Sequence, residues 1–226
     1  MTRQLLLGLI ILLLSSCTSQ EERLFSAQLD RADSLMRTRP DSSLYILNKV
    51  GTPSTTSLSM RHALLRADAL NKCDSVLPSD TLLREIADYY DRHGSANERM
   101  RAHYLLGRCY HDMGEAPRAL ECYQHAAEQT DTTKKDCDLY TLRAIYGQMA
   151  DLYYAQYLPD DEMQASQTCE RIAWKERDTL PALKAYELRF RPYYQKNDTD
   201  SILYYVTHAY QLYRKYGYLH RHPSCI

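Results

Sequence analysis

The chain has 226 residues, enough for one sizeable hydrophobic core or one array of helical repeats. Its 28 Lys and Arg residues nearly balance its 29 Asp and Glu residues, so no basic excess points to nucleic acid and no acidic excess points to a disordered chain. Glycine is scarce, with 7 residues, and tyrosine is abundant, with 20. Together with long amphipathic windows, this composition predicts an all-α fold.

The N-terminus has the pattern of an export signal. Arg3 is followed by an apolar run over residues 5–14 and then by Ser15, Ser16 and Cys17. A charged start, a short apolar core and small residues before a cleavage point are typical of such signals. The run is shorter than the about 20 residues that a membrane-spanning helix needs. We therefore predict a signal peptide over residues 1–16, and no later segment is apolar enough to span a bilayer.

The end of this signal resembles the lipobox of bacterial lipoproteins, since Leu14 and two serines precede Cys17. The resemblance implies that Cys17 is acylated and becomes the first residue of the mature protein, with residues 17–20 as a short tether. The absence of Asp after Cys17 implies, by the same resemblance, the outer membrane. The expected location is the cell envelope, with the protein lipid-anchored and facing either the periplasm or the cell surface.

Ten helices follow in the hydrophobic pattern, and longer loops separate some of them at residues 51–57 and 130–136. The predicted helices cover residues 21–38, 41–50, 58–73, 79–93, 97–113, 116–129, 137–157, 160–177, 180–195 and 200–216. They form five hairpins in one helical repeat domain over residues 21–217. Residues 218–226 show no helical period and are predicted to form an irregular tail.

The middle of the chain carries a repeat signature over residues 103–126. The matching positions are Leu106, Gly107, Tyr110, Gly114, Ala119, Tyr123 and Ala126. This spacing resembles the tetratricopeptide (TPR) repeat, with His103 where Trp is usual. Gly107 and Ala119 are expected to let two antiparallel helices approach closely, while the two tyrosines fill the space beside them. Gly114 stands where the first helix must end, a favoured place for glycine.

Blurred copies of the signature follow it, at residues 146–153 for the first helix and residues 165–172 for the second. With the lipobox, the pattern resembles the TPR lipoproteins of Gram-negative bacteria over most of the mature chain. The resemblance implies a TPR-like α-solenoid of about five helix hairpins. Longer proteins of this kind continue into a transmembrane helix, a coiled coil and a regulator-like tail.

Stacked hairpins of this type line a concave groove with their first helices, which is the predicted partner-binding surface. The residues expected on that surface are Arg101, Tyr104, Arg108, His111, Asp112, Asp151 and Tyr154. Arg and Tyr are the residue types enriched at binding hot spots. A solvated polar face with no partner is the alternative interpretation.

No recognised catalytic motif occurs, so the sequence predicts that the protein is not an enzyme and uses no cofactor and no metal. His220, His222 and Cys225 are interpreted as part of a frayed tail rather than a metal site. The cysteines other than Cys17 lack CxxC spacing, and most are expected to be buried small residues, with any disulfide pairing left open.

Three functional hypotheses remain. The first is an outer-membrane-anchored TPR scaffold that binds a protein or peptide partner in its groove. The alternative is a sensory or regulatory TPR module of an envelope signalling system, and the third is a glycan-binding protein. In all three the protein contacts the membrane through its lipid anchor, with no nucleic acid and no small-molecule cofactor.

Overall fold

A computed structural model describes residues 20–218 of the chain, and every one of its regular elements is an α-helix. The predicted signal peptide, Cys17 and the tail from residue 219 onward lie outside the described residues. Eleven helices occur in this part of the chain. They are α1 (20–35), α2 (Pro40–Lys49), α3 (Thr56–Lys72), α4 (Asp80–His93), α5 (Ala96–Asp112), α6 (Ala116–Glu128), α7 (Leu139–Ala155), α8 (Pro159–Glu176), α9 (Thr179–Glu187), α10 (Phe190–Gln195) and α11 (Thr199–Lys215).

The chain divides into two compact units, one up to His93 and one from Gly94 onward. In the first unit, α1, α2 and α3 share a core that includes Leu29, Leu47 and Leu65. Helix α4 is strongly amphipathic and buries Leu83, Ile86, Ala87 and Tyr90 along one face, the spacing expected of a helix with a single apolar stripe.

The second unit contains three hairpins in succession. Helix α5 packs against α6, α7 packs against α8, and α9 with α10 packs against α11. Helix α6 also contacts α7, and α8 contacts α9, so each hairpin is joined to the next one.

Local sequence signals fix where these helices begin and end. At the start of α5, Ser95 Oγ accepts a hydrogen bond from the Glu98 amide, and the Glu98 carboxylate accepts one from the Ser95 amide at 2.8 Å, which is a capping box. Asp138 and Asp198 accept equivalent amide hydrogen bonds at the starts of α7 and α11. Gly114 follows α5 with a φ of +76°, a conformation that glycine adopts without strain.

The prediction of one helix over residues 180–195 is wrong, because the structure divides this stretch into α9 and α10. Pro192 explains the division. It has no amide hydrogen to donate to the carbonyl of Leu188, and its ring clashes with that carbonyl in a continuous helix. The helix accordingly stops at Glu187, and the Arg191 amide donates to the Leu188 carbonyl in a tighter turn.

The five cysteines within the described residues are all free thiols. Only Cys109 among them is buried, while Cys73, Cys122, Cys137 and Cys169 are half-buried, so burial is less complete than the sequence suggested. Between residues 20 and 218, the helices include none with the length and apolar character needed to cross a bilayer.

Candidate functional site

The hairpin of α5 and α6 is built around a glycine and a tyrosine. A Cβ atom added to Gly107 would lie 2.5 Å from Cε1 of Tyr123, far inside van der Waals contact. Tyr123 is fully buried, and so are Ala119 and Ala126 on the same helix. The two backbones therefore approach closely at Gly107, and the tyrosine ring occupies the space that any side chain there would need.

A second set of contacts within this hairpin involves arginine, tyrosine and histidine side chains. The guanidinium of Arg118 lies 3.9 Å above the centre of the Tyr110 ring and donates a 2.7 Å hydrogen bond to the Tyr110 hydroxyl. His103, which stands where Trp is usual, meets His125 edge to face with 4.2 Å between ring centres. A cavity of about 350 Å³ lies beside these groups, and Leu106 and Cys122 also line it.

Polar side chains connect the first helices of consecutive hairpins. On α5, Arg108 donates hydrogen bonds to the side-chain carbonyl of Gln148 on α7 and to the carboxylate of Asp112 on its own helix. Because guanidinium groups have five donors in a fixed plane, one Arg can bridge two helices in this way. Arg108 therefore links the hairpin α5/α6 to the hairpin α7/α8 on this face.

A second arginine links α7 to α10. Arg191 Nη1 donates to the Asp151 carboxylate at 2.9 Å, and its guanidinium carbon lies 4.0 Å from the centre of the Tyr154 ring. The side chain of Gln195 donates to the Tyr154 carbonyl at 2.7 Å. Helix α10 is thus attached to the C-terminal half of α7 by one ion pair, one cation–π contact and one hydrogen bond.

Beneath this arginine lies a buried acid. Glu162 on α8 is fully buried, and its Oε1 atom lies 2.9 Å from Arg191 Nε as an ion pair without hydrogen-bond geometry. Burial raises the pKa of Glu162 to about 7, although the neighbouring Arg191 lowers it and Asp151 adds to the rise. Removal of the carboxylate from water disfavours its charged form, and one arginine that it shares with Asp151 does not compensate fully.

His111 lies beside Arg108 on the same surface. Its pKa is lowered, first by burial and then by the positive charge of Arg108, while Asp112, Asp151 and a hydrogen bond with Gln148 act in the opposite direction. A lowered pKa keeps the imidazole neutral at neutral pH. His111 therefore contributes a neutral polar group, and the charges of this surface come from its arginines and carboxylates.

We call this connected surface the polar strip. It consists of Arg108, Asp112, Gln148, Asp151, Tyr154 and Arg191. The carboxylates of the strip face outward, with side chains 52% exposed at Asp112 and 51% exposed at Asp151. The guanidinium groups lie deeper, with side chains 23% exposed at Arg108 and 12% exposed at Arg191. An approaching molecule therefore meets negative charge first.

The structure brings together Arg108, Asp112, Asp151 and Tyr154 from the surface predicted by sequence, with His111 next to them. Tyr104 differs from its prediction, because it is only 7% exposed and its ring centre lies 6.1 Å from that of Tyr123. Tyr104 lies about one turn before Gly107 on α5, so its side chain faces the core beside Tyr123. Its large ring fills interior space there instead of lining the predicted groove.

Arg101 is half-buried and lies two turns before Arg108 on α5. Two residues of the strip were missed from the sequence. Gln148 stands three residues before Asp151 on one helix face, so spacing was an available signal. Arg191 carries no such signal, because its position depends on the turn between α9 and α10 that Pro192 imposes.

The described fold is similar to that of known repeat proteins. A putative kinesin light chain of Podosopora anserina with nearly identical TPR-like repeats superposes with a TM-score of 0.61 at 15% identity, over 86% of this chain and 97% of that one. A Rap protein complexed with Competence and Sporulation Factor gives 0.61 at 12% identity, over 86% of this chain and 55% of that one. BtubC of P. vanneervenii superposes with a TM-score of 0.54 at 12% identity, over 92% of this chain and 96% of that one.

No protein-family model matches the chain, and no curated protein sequence matches it. At these identities the likeness concerns the fold alone. It confirms the predicted fold class, an all-α TPR-like solenoid of about five helix hairpins.

Proposed function

We propose that this protein is a non-catalytic scaffold that binds a protein or peptide partner along the polar strip. The observation that carries the proposal is the connection of three successive first helices, α5, α7 and α10, by Arg108 and Arg191 into one surface with exposed charged groups. A surface that crosses several repeats suits an extended polypeptide, since each repeat adds a further contact. The fold neighbours support this, because one of them, Rap, was solved in complex with Competence and Sporulation Factor.

The charge arrangement of the strip indicates which partner it suits. Its two most exposed charged groups are the carboxylates of Asp112 and Asp151, and each is already paired with an arginine on its inner side. Carboxylates held in this way have free lone pairs toward solvent and accept further hydrogen bonds. The partner segment is therefore one with basic or amide side chains, and the stacked ring of Tyr154 provides an apolar contact beside them.

The test compares strip variants with a matched control. Full-length protein with Asp112→Ala and Asp151→Ala is used to capture partners from solubilised envelopes, beside wild type and a control with Glu121→Ala and Glu128→Ala. The control removes two exposed carboxylates from α6, away from the strip. We expect the strip variant to lose partners that wild type and control both retain, with equal helicity in all three. Equal recovery by all three would reject the strip as the binding surface.

The proposal includes the cell envelope as the location. The lipobox-like sequence that ends at Cys17 supports this location, because the resemblance implies that Cys17 is acylated. Stable anchoring of this kind takes more than one acyl chain. Cells that express the protein are labelled with a clickable palmitate analogue and fractionated. Wild type is expected to carry the label in the outer-membrane fraction, and Cys17→Ser is expected to lose it. Label on Cys17→Ser, or an unmodified thiol on wild type, would contradict the anchoring.

A regulatory module of an envelope signalling system is the second candidate, favoured by the same Rap neighbour. In that case partner binding at the strip alters the activity of a signalling protein. A neighbouring reading frame that encodes a coiled coil or a regulator would support this role, and an unrelated neighbourhood would count against it.

A further inference from the structure

The outward face of α11 carries a regular row of residues. Asp200, Leu203, Thr207, Tyr210 and Arg214 are spaced alternately three and four residues apart, so they form one continuous line along the helix. All five are exposed, and Leu203 remains 64% and Tyr210 55% accessible to solvent. We call this line the α11 seam. The opposite side of the helix, around Ala209, packs against α9 and α10.

The other second helices of this unit have neighbours on both sides. Helix α6 contacts α7 as well as α5, and α8 contacts α9 as well as α7. Helix α11 is the last helix in the part of the chain that the structure describes. Tyr204 and Val206, which flank the seam, are also exposed. The face therefore combines the spacing of a helix–helix contact with large side chains that such a contact buries.

The charges of the α11 seam indicate which molecule packs against it. The acidic residue Asp200 lies in the first turn of α11, and the basic residue Arg214 lies in the last turn. Each is seven residues from Thr207, which stands at the midpoint. When two copies of the helix pack antiparallel about a two-fold axis at Thr207, Asp200 of each copy meets Arg214 of the other. The same rotation places Tyr204 opposite Tyr210, so the face is complementary to itself.

We propose that this protein forms a homodimer through antiparallel contact of two α11 seams. Within one chain, antiparallel pairing of two helices holds each hairpin together. The proposed contact uses the same antiparallel pairing between two copies of the chain. Leu203, Tyr204 and Tyr210 supply the apolar centre, and the two Asp200–Arg214 ion pairs at its ends fix the direction. A parallel arrangement would bring like charges together at both ends, and like charges in contact disfavour it.

The test uses charge exchange in the full chain, purified in detergent and measured by sedimentation equilibrium. Wild type is expected to be dimeric at micromolar concentration. Asp200→Lys and Arg214→Glu each place like charges together twice and are expected to weaken the dimer at least tenfold. An equimolar mixture of the two variants restores both ion pairs and is expected to form a heterodimer as tight as the wild-type dimer.

Matched controls carry the same charge changes away from the seam. Asp161→Lys lies in the first turn of α8 and Lys184→Glu lies in α9, and both positions are exposed. Neither is expected to change the dimer. A monomeric wild type, a dimer that survives both seam variants, or a mixture no tighter than its components would overturn the proposal, because each result means that two α11 seams do not form this contact.

A cysteine variant tests the two-fold axis independently of any charge effect. Thr207→Cys is expected to give a 207–207 disulfide between copies on oxidation, identified by mass spectrometry against the wild-type thiol background. Thr199→Cys is the control, because antiparallel packing keeps the two copies of this residue at opposite ends of the contact. Equal cross-linking at both positions, or none at position 207, would contradict the antiparallel seam.

Discussion

The hairpin of α5 and α6 and the hairpin of α9, α10 and α11 share one architecture but differ in how they are held together. Eight of the seventeen residues of α5 are buried, against one of the seventeen residues of α11. In the first hairpin a buried tyrosine lies against a glycine, so two backbones come close. In the last hairpin, aromatic rings of the two arms pack against each other, as in the stacked pair Tyr193 and Tyr205 with 5.3 Å between ring centres.

Polar contacts replace part of the missing core in the last hairpin. The hydroxyl of Tyr186 is hydrogen-bonded to His208 Nδ1 at 2.5 Å, and the Tyr213 hydroxyl donates to the Glu187 carboxylate at 2.8 Å. Such bonds contribute about 1–3 kcal/mol each, and α11 buries only Ala209 among its residues, so the last hairpin is expected to open more readily than the central one. One unit of this fold therefore contains both a hairpin held by a packed core and a hairpin held largely by polar contacts.

The largest loss of stability is expected from a substitution in the core of the α5/α6 hairpin. Tyr123→Ala removes a fully buried aromatic ring from between α5 and α6 and leaves a cavity. We expect a loss of about 3–5 kcal/mol in the free energy of unfolding, measured by chemical denaturation. Tyr194→Ala is the control, since this tyrosine is exposed in the last hairpin and its removal is expected to stay within about 0.5 kcal/mol. Similar losses for both would abolish the contrast between the two hairpins.

The next prediction compares two glycines. Gly107→Ala places a methyl group 2.5 Å from the Tyr123 ring, and overpacking of this kind costs about 1–3 kcal/mol. Gly147→Ala, in α7, meets no atom within 4 Å of the new Cβ. It is expected to stabilise the protein by up to about 1 kcal/mol through helix propensity alone. Denaturant midpoints that move in the same direction for both would show that Gly107 has no packing role.

The middle hairpin of α7 and α8 contains a buried acid, so its stability is expected to depend on pH. The folded chain raises the pKa of Glu162 from 4.5 to about 7, so it keeps a proton that the unfolded chain has already released. The stabilisation is complete below about pH 4.5 and is lost as the pH rises toward 7. Because one pKa unit corresponds to about 1.4 kcal/mol, the rise from 4.5 to about 7 corresponds to a contribution on the order of 3 kcal/mol.

Glu162→Gln cannot ionise and is expected to flatten this part of the stability curve between pH 4.5 and 7. Denaturation at several pH values measures it, with Glu128→Gln, an exposed acid, as the control. A slope that is the same in wild type and in Glu162→Gln would mean that burial of this acid does not govern the pH dependence.

The smallest effect concerns the polar hairpin. Tyr186→Phe retains the ring but removes the hydroxyl that contacts His208. A loss of about 1 kcal/mol is expected, together with faster amide exchange in α11 and little change in α5. Tyr194→Phe, an exposed position, serves as the control. Protection that is unchanged in α11 would show that this hydrogen bond does not hold the hairpin closed.

The difference between the two hairpins also explains which parts of the fold could be predicted from the sequence. The spacing of Gly107 and Tyr123 follows a repeat pattern, because close backbone contact requires particular residues at particular positions, and the fold class could be predicted from it. The division of residues 180–195 into two helices could not be predicted in this way. Pro192 disfavours a continuous helix while the apolar period favours one, and the pattern alone does not show which of the two prevails.

The candidate site was predictable only in part for a related reason. Arg108, Asp112, Asp151 and Tyr154 lie on regular helices, where spacing determines the face. Arg191 reaches the strip through the turn before α10, and Tyr104 turns inward toward Tyr123. Both outcomes depend on contacts between helices, which periodicity within one helix does not contain.

The most direct test of partner binding at the polar strip is site-specific photo-crosslinking in cells. A photo-reactive amino acid is placed at Ala155, which is exposed one turn after Asp151 on α7, and in a second strain at Glu128 on α6. We expect a discrete cross-linked protein from position 155, none from position 128, and loss of the product when Asp112→Ala and Asp151→Ala are added. The same product from both positions, or its persistence without the two carboxylates, would contradict it.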